Sequence, residues 1–78
     1  MLLGNRLSET SHLLMTLNET ELEMVERHVR EGNRHIENQR RIVAYLRQAG
    51  WPTELAEQLL SNLEDIQTMH LEHLARIA

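Results

Sequence analysis

The sequence predicts an all-α fold, a long antiparallel helical hairpin, and three observations carry that prediction. Apolar residues recur at heptad spacing from Leu22 to Leu46, a second apolar stripe runs from Ala56 to Ile77, and Gly50-Trp51-Pro52 stands between them. Apolar residues in alternating steps of three and four fall on one side of a helix. A glycine followed closely by proline ends one helix and turns the chain. The 78 residues leave room for one small domain.

Residues 1–17 read as a weak helix or a flexible arm. Leu13, Leu14 and Leu17 share one face of a short helix opening at Ser8, but Ser and Thr interrupt it, and Met15 offers an alternative start to the chain. The hairpin then spans 18–78, with a first helix over about 20–49, a turn at 50–53 and a second helix over about 54–77. Two overlapping signals precede the first helix, Asn18 with Glu21 and Thr20 with Glu23, and either pair can cap the first free amides. Its seam is Leu22, Val25, Val29, Ile36, Val43 and Leu46, with Gly32 and Gln39 in the two remaining heptad places. Glu19, Glu21, Glu23 and Glu26 complement the helix dipole, and Glu23 to Arg27, Glu26 to Arg30 and Glu37 to Arg41 are spaced as i,i+4 pairs.

Gly50 is placed to take the left-handed conformation that closes the first helix, and Pro52 pushes Trp51 out of it. Thr53 is the expected cap of the second helix, whose stripe is Ala56, Leu59, Leu60, Leu63, Ile66, His70, Leu74 and Ile77. A turn this short makes the helices antiparallel neighbours. Each stripe is wider than one helix can cover, so the hairpin is expected to dimerise into a four-helix bundle, with itself as partner. Leu22, Val25, Val29, Gly32, Ile36, Val43, Leu59, Leu63 and Ile66 are the expected oligomer-interface residues.

Composition removes several function classes. The absence of Cys excludes disulfides, thiolate metal sites and cysteine nucleophiles. The net charge is −4, and only Tyr45 and Trp51 are aromatic, which argues against nucleic acid as a partner. No apolar run is long enough to span a membrane, and Met1-Leu2-Leu3-Gly4-Asn5-Arg6 has neither basic leader nor apolar core, so a cytoplasmic setting is expected. Arg27, Arg34 and Arg41 recur every seven residues with Arg30 and Arg40 alongside, and they read as a solvated face or one answering the acidic second helix of a neighbouring hairpin. Ser8, Ser11 and Ser61 have no glycine-framed elbow, and Gly4, Gly32 and Gly50 cannot make a phosphate loop; no enzymatic activity is expected.

Histidine is the unusual residue, with His12, His28, His35, His70 and His73 in so short a chain. For a turn centred near 51 and 52, His70 falls level with residue 33 and His73 with residue 30, between His28 and His35. These four, with Glu31 or Glu72 as oxygen ligand, are the candidate site for a transition metal such as zinc. Against that reading, His28 and His35 lie ~10.5 Å apart along one helix, too far to share an ion without another partner. The primary expectation is therefore no cofactor, with structural or solvated histidines. A third reading is a pH switch in which clustered imidazoles gain charge below about pH 6.5 and loosen the seam. Gly32, mid-helix, implies close helix approach or a local bend. Gln39 and Gln67 either fix register across an interface or are two partly exposed amides.

The stretch from Glu26 to Ile36, followed by Gln39-Arg40-Arg41-Ile42-Val43 and Leu46-Arg47-Gln48-Ala49-Gly50, resembles short uncharacterised helical proteins common in alphaproteobacterial genomes. The likeness continues through Ala56-Glu57-Gln58-Leu59-Leu60 to Met69-His70-Leu71-Glu72-His73-Leu74. It implies a helical hairpin in a bacterial cytoplasm and transfers no activity and no site residue. The function expected from the whole sequence is a small non-enzymatic interaction or regulatory accessory protein acting as a homodimeric bundle, with a histidine-based metal-binding or metal-sensing bundle as the alternative.

Overall fold

The computed structural model describes residues 19–78 as two helices, α1 (Glu21–Gln48) and α2 (Glu54–Ile77), packed against each other as a hairpin. Residues 1–17 and the Asn18 cap fall outside the described residues. Of the two start signals, the Thr20 box is complete. Thr20 has an extended backbone (ψ 163°), its Oγ1 accepts from the Glu23 amide at 3.0 Å, and Glu23 Oε1 accepts from the Thr20 amide at 3.1 Å.

Glu23 is thereby engaged at the cap, and Arg27 turns elsewhere. Its Nε and Nη2 donate to the two carboxylate oxygens of Glu19 at 2.8 and 3.0 Å, and Nη1 donates to Glu31 at 3.3 Å. The expected Glu37–Arg41 pair forms at 2.7 Å, whereas Glu26 and Arg30 make no ion pair among the described residues. Two arginines of α1 answer the acidic second helix within the same hairpin, Arg40 to Glu64 at 3.3 Å and Arg47 to Glu57 at 2.6 Å. Apart from the part-buried Glu19 and Arg27, these groups are substantially exposed, so they orient the surface more than they stabilise it.

The two charge-assisted bonds from Arg27 hold the Glu19 carboxyl below the usual carboxylate range, with the positive charges of His28 and Arg30 adding to the effect. A folded-state pKa below the unfolded one stabilises the fold above the ordinary carboxylate pKa, and that contribution is lost as pH falls through the depressed value. The Glu19 side-chain carbon, followed by NMR in a pH titration, should therefore titrate below the ordinary carboxylate range. In Arg27→Gln its midpoint should return to the ordinary range; an unchanged midpoint would show that Arg27 is not the cause.

Gly50 has φ +75°, and two hydrogen bonds close α1 around it: Trp51 N–H to Leu46 C=O at 2.9 Å and Gly50 N–H to Arg47 C=O at 3.1 Å. Together they make a full Schellman motif. The expected role of Thr53 is not met, because its hydroxyl caps no amide. At ψ −3° the Thr53 backbone is helical rather than extended, which swings the hydroxyl away from the free amides, and it donates instead to Glu57 at 3.3 Å.

The core between the helices is small. Val25 is fully buried, Ile36 and Val43 nearly so, and two polar side chains, Gln39 and Gln67, share the seam. Val25, Ile36 and Val43, expected at an oligomer interface, are thus already covered within one chain, with Val29, Gly32 and Leu63 half-buried beside them. Of the other expected interface residues, Leu22, Leu59 and Ile66 are exposed. No helix among the described residues is long and apolar enough to cross a membrane.

Candidate functional site

Among the described residues, the hydrogen-bonded crossings in the buried seam are made by the two glutamines. Gln39 on α1 donates through Nε2 to the Ala56 carbonyl at 2.9 Å, and Gln67 on α2 donates through Nε2 to the Val29 carbonyl at 2.8 Å and to Asn33 Oδ1 at 2.9 Å. They do not pair with each other. Each reaches the other helix's backbone, and no buried side-chain polar atom among the described residues is left without a partner. Gly32 is what lets Gln67 in: a Cβ there would lie 2.0 Å from Gln67 Oε1 and 2.7 Å from Cδ. Close approach, rather than a bend, is the reason for glycine at this position.

Because Gln67 Nε2 faces two acceptors, its Oε1 is fixed as the acceptor for the next neighbour, His70 Nδ1, at 3.3 Å. His70 Nδ1 must therefore carry the proton, and in the neutral ring the lone pair is on Nε2. The His70 ring sits 5.2 Å from that of His28, centroid to centroid, with the planes tilted by 33°. Beside them, over the bare backbone of Gly32, is a cavity of about 170 Å³ lined by His28, Glu31 and His35 from α1 and by Leu63, Ile66, Gln67 and His70 from α2.

Of the four candidate metal ligands, the structure brings His28 and His70 together, keeps His35 on the cavity rim and sends His73 elsewhere. His73 Nε2 lies 3.0 Å from Glu21 Oε1, at the far end of the hairpin. The level rule taken from the turn fits the long surface pairs Arg47–Glu57 and Arg40–Glu64 but not the seam beneath them, where Gln39 reaches Ala56, Gln67 rests on Gly32 and His70 meets His28, each four or more residues off the rule. Glu72 is exposed and makes no ion pair among the described residues. Among the described residues no three His, Asp or Glu groups converge closely enough to hold a metal ion.

Two participants escaped the sequence reading. Asn33, which seats Gln67, gives no periodic signal beyond its place next to Gly32. Glu19 reaches Arg27 from outside the helix, a spacing that the i,i+4 rule does not cover. The chain matches no family model, and no curated protein or solved structure is significantly similar to it.

Proposed function

We propose that this protein is a small non-enzymatic interaction module, of a regulatory accessory kind, that works as a homodimeric helical bundle. The observation that carries the proposal is an apolar row left uncovered along α2. Leu55, Leu59, Ile66 and Met69 lie on one flank, interrupted by Asn62, and all are exposed, Leu55 at 89%. Ile42 on α1 is exposed as well. Such a row beside a core that, among the described residues, holds three aliphatic side chains is a contact surface waiting for an equal. A second copy supplies the same row in the same direction about a twofold axis along the helices and closes a four-helix bundle.

Sedimentation equilibrium in EDTA-containing buffer, from low micromolar concentration upwards, should give twice the chain mass. The double substitution Leu59→Glu with Ile66→Glu should return the monomer by burying like charges at the contact. A chain that stays monomeric and fully helical at every concentration would overturn the proposal. A monomer that is partly unfolded would overturn self-association too, and would direct attention to a different protein as occupant of the row.

A further inference from the structure

We propose that His28 and His70 are half of a divalent transition-metal site, which a second copy of the hairpin completes. The inference rests on the self-association proposed above and names what the groove at that contact holds.

Three features of the pair suit a metal ion. Two imidazoles bound to one tetrahedral zinc, with Zn–N bonds of about 2.0–2.1 Å, have ring centres roughly 5 Å apart. The His28 and His70 centroids are 5.2 Å apart. The second feature is the hydrogen bond behind His70. Metal-bound histidines characteristically donate their other ring N–H to a fixed acceptor, which sets the tautomer and raises the basicity of the ligating nitrogen. Gln67 Oε1 is such an acceptor, because the carboxamide carrying it is 5% exposed and held by Val29 and Asn33.

The third feature is room. A cavity of about 170 Å³ lies beside the pair, and Glu31 and His35 stand on its wall. Imidazole ligands with no thiolate suit zinc, copper and nickel. Within one chain the site stays incomplete, since no third ligand converges among the described residues. Its wall includes Ile66, a member of the exposed apolar row. A copy docked on that row in the same direction, about a twofold axis along the helices, brings its own His28 and His70 level with the same opening, giving four imidazoles to one ion.

The test uses the full chain without an affinity tag, stripped with EDTA and titrated with zinc chloride by calorimetry at about pH 7.5, where neutral imidazole predominates. Sedimentation is run on the same samples. The expected result is one zinc per pair of chains and a dimer dissociation constant lowered by about tenfold or more. His28→Ala and His70→Ala should each abolish both effects while retaining helicity by circular dichroism, and His73→Ala should change neither. Should an alanine variant unfold, nitrogen NMR of the unmodified chain still decides: zinc should move the ring nitrogens of His28 and His70 and leave those of His73 in place. Zinc uptake that survives His70→Ala, one zinc per chain with unchanged mass, or no uptake would each overturn the inference. The EDTA samples judge self-association separately. A metal-free monomer that zinc converts to a dimer overturns the metal-free dimer and keeps the site, and a dimer indifferent to zinc does the reverse.

Discussion

Gly32→Ala is expected to lower the unfolding free energy by about 1–3 kcal/mol, although alanine is the better helix former by about 1 kcal/mol. The new Cβ would fall 2.0 Å from Gln67 Oε1, so the carboxamide has to leave its seat. It then gives up its bonds to Val29, Asn33 and His70. A net hydrogen bond is worth about 0.5–1.5 kcal/mol, and a buried polar group stranded without a partner costs about 1–3 kcal/mol, so the loss exceeds the propensity gain. Urea unfolding followed by circular dichroism measures the difference. The same substitution in a Gln67→Ala background meets no carboxamide and should stabilise by up to about 1 kcal/mol, so the two backgrounds should differ in sign. A stabilised Gly32→Ala single variant would mean that Gln67 moves aside freely and does not set the register.

Ile36→Ala should cost about 2–4 kcal/mol. Ile36 is one of three buried aliphatic side chains among the described residues, lying between Val25 and Val43 along the seam. Truncating it removes a large share of the apolar surface withdrawn from water and leaves a void that two helices joined at one end close only in part. In so small a domain that is a major fraction of the total stability. Ile42→Ala is the internal comparison, the same change on the same helix at an exposed position, and in the isolated hairpin it should cost less than about 1 kcal/mol. Equal losses at the two positions would show that the seam seen here is not the core in solution.

The architecture was legible in the sequence because each of its determinants is local. Heptad spacing from Leu22 to Leu46, a threonine followed three residues on by glutamate, and glycine two residues before proline each act over one or two turns of chain. The helix limits fell within a residue of expectation at both ends of α1, and the Schellman closure around Gly50 follows from the one residue that accepts φ +75° without strain. Thr53 shows where local reading stops, since the identity of a cap residue is visible but the backbone angle that aims its hydroxyl is set by the turn before it. The candidate site was legible in part. The meeting of His28 with His70 could be anticipated from the antiparallel layout, but the separation of His73 could not, because the register of the whole seam differs by a helical turn or more from the one the position of the turn gives. Gln39 and Gln67 were visible as polar residues in an apolar seam, whereas their choice of main-chain carbonyls as acceptors is a three-dimensional matter.

That choice has an evolutionary consequence. A carbonyl is the same whatever residue bears it, so the tethers ask nothing of the side-chain chemistry at positions 29 and 56, and drift there is limited only by fit. Positions 32 and 67 are bound by an order of events. Losing the glutamine first leaves a glycine that does no harm to its neighbours, while gaining a side chain at 32 first drives a buried amide out of its seat. A lineage leaving this arrangement has an easy path through position 67 and a barred one through position 32, and among its descendants a bulkier residue at 32 should accompany a shortened residue at 67.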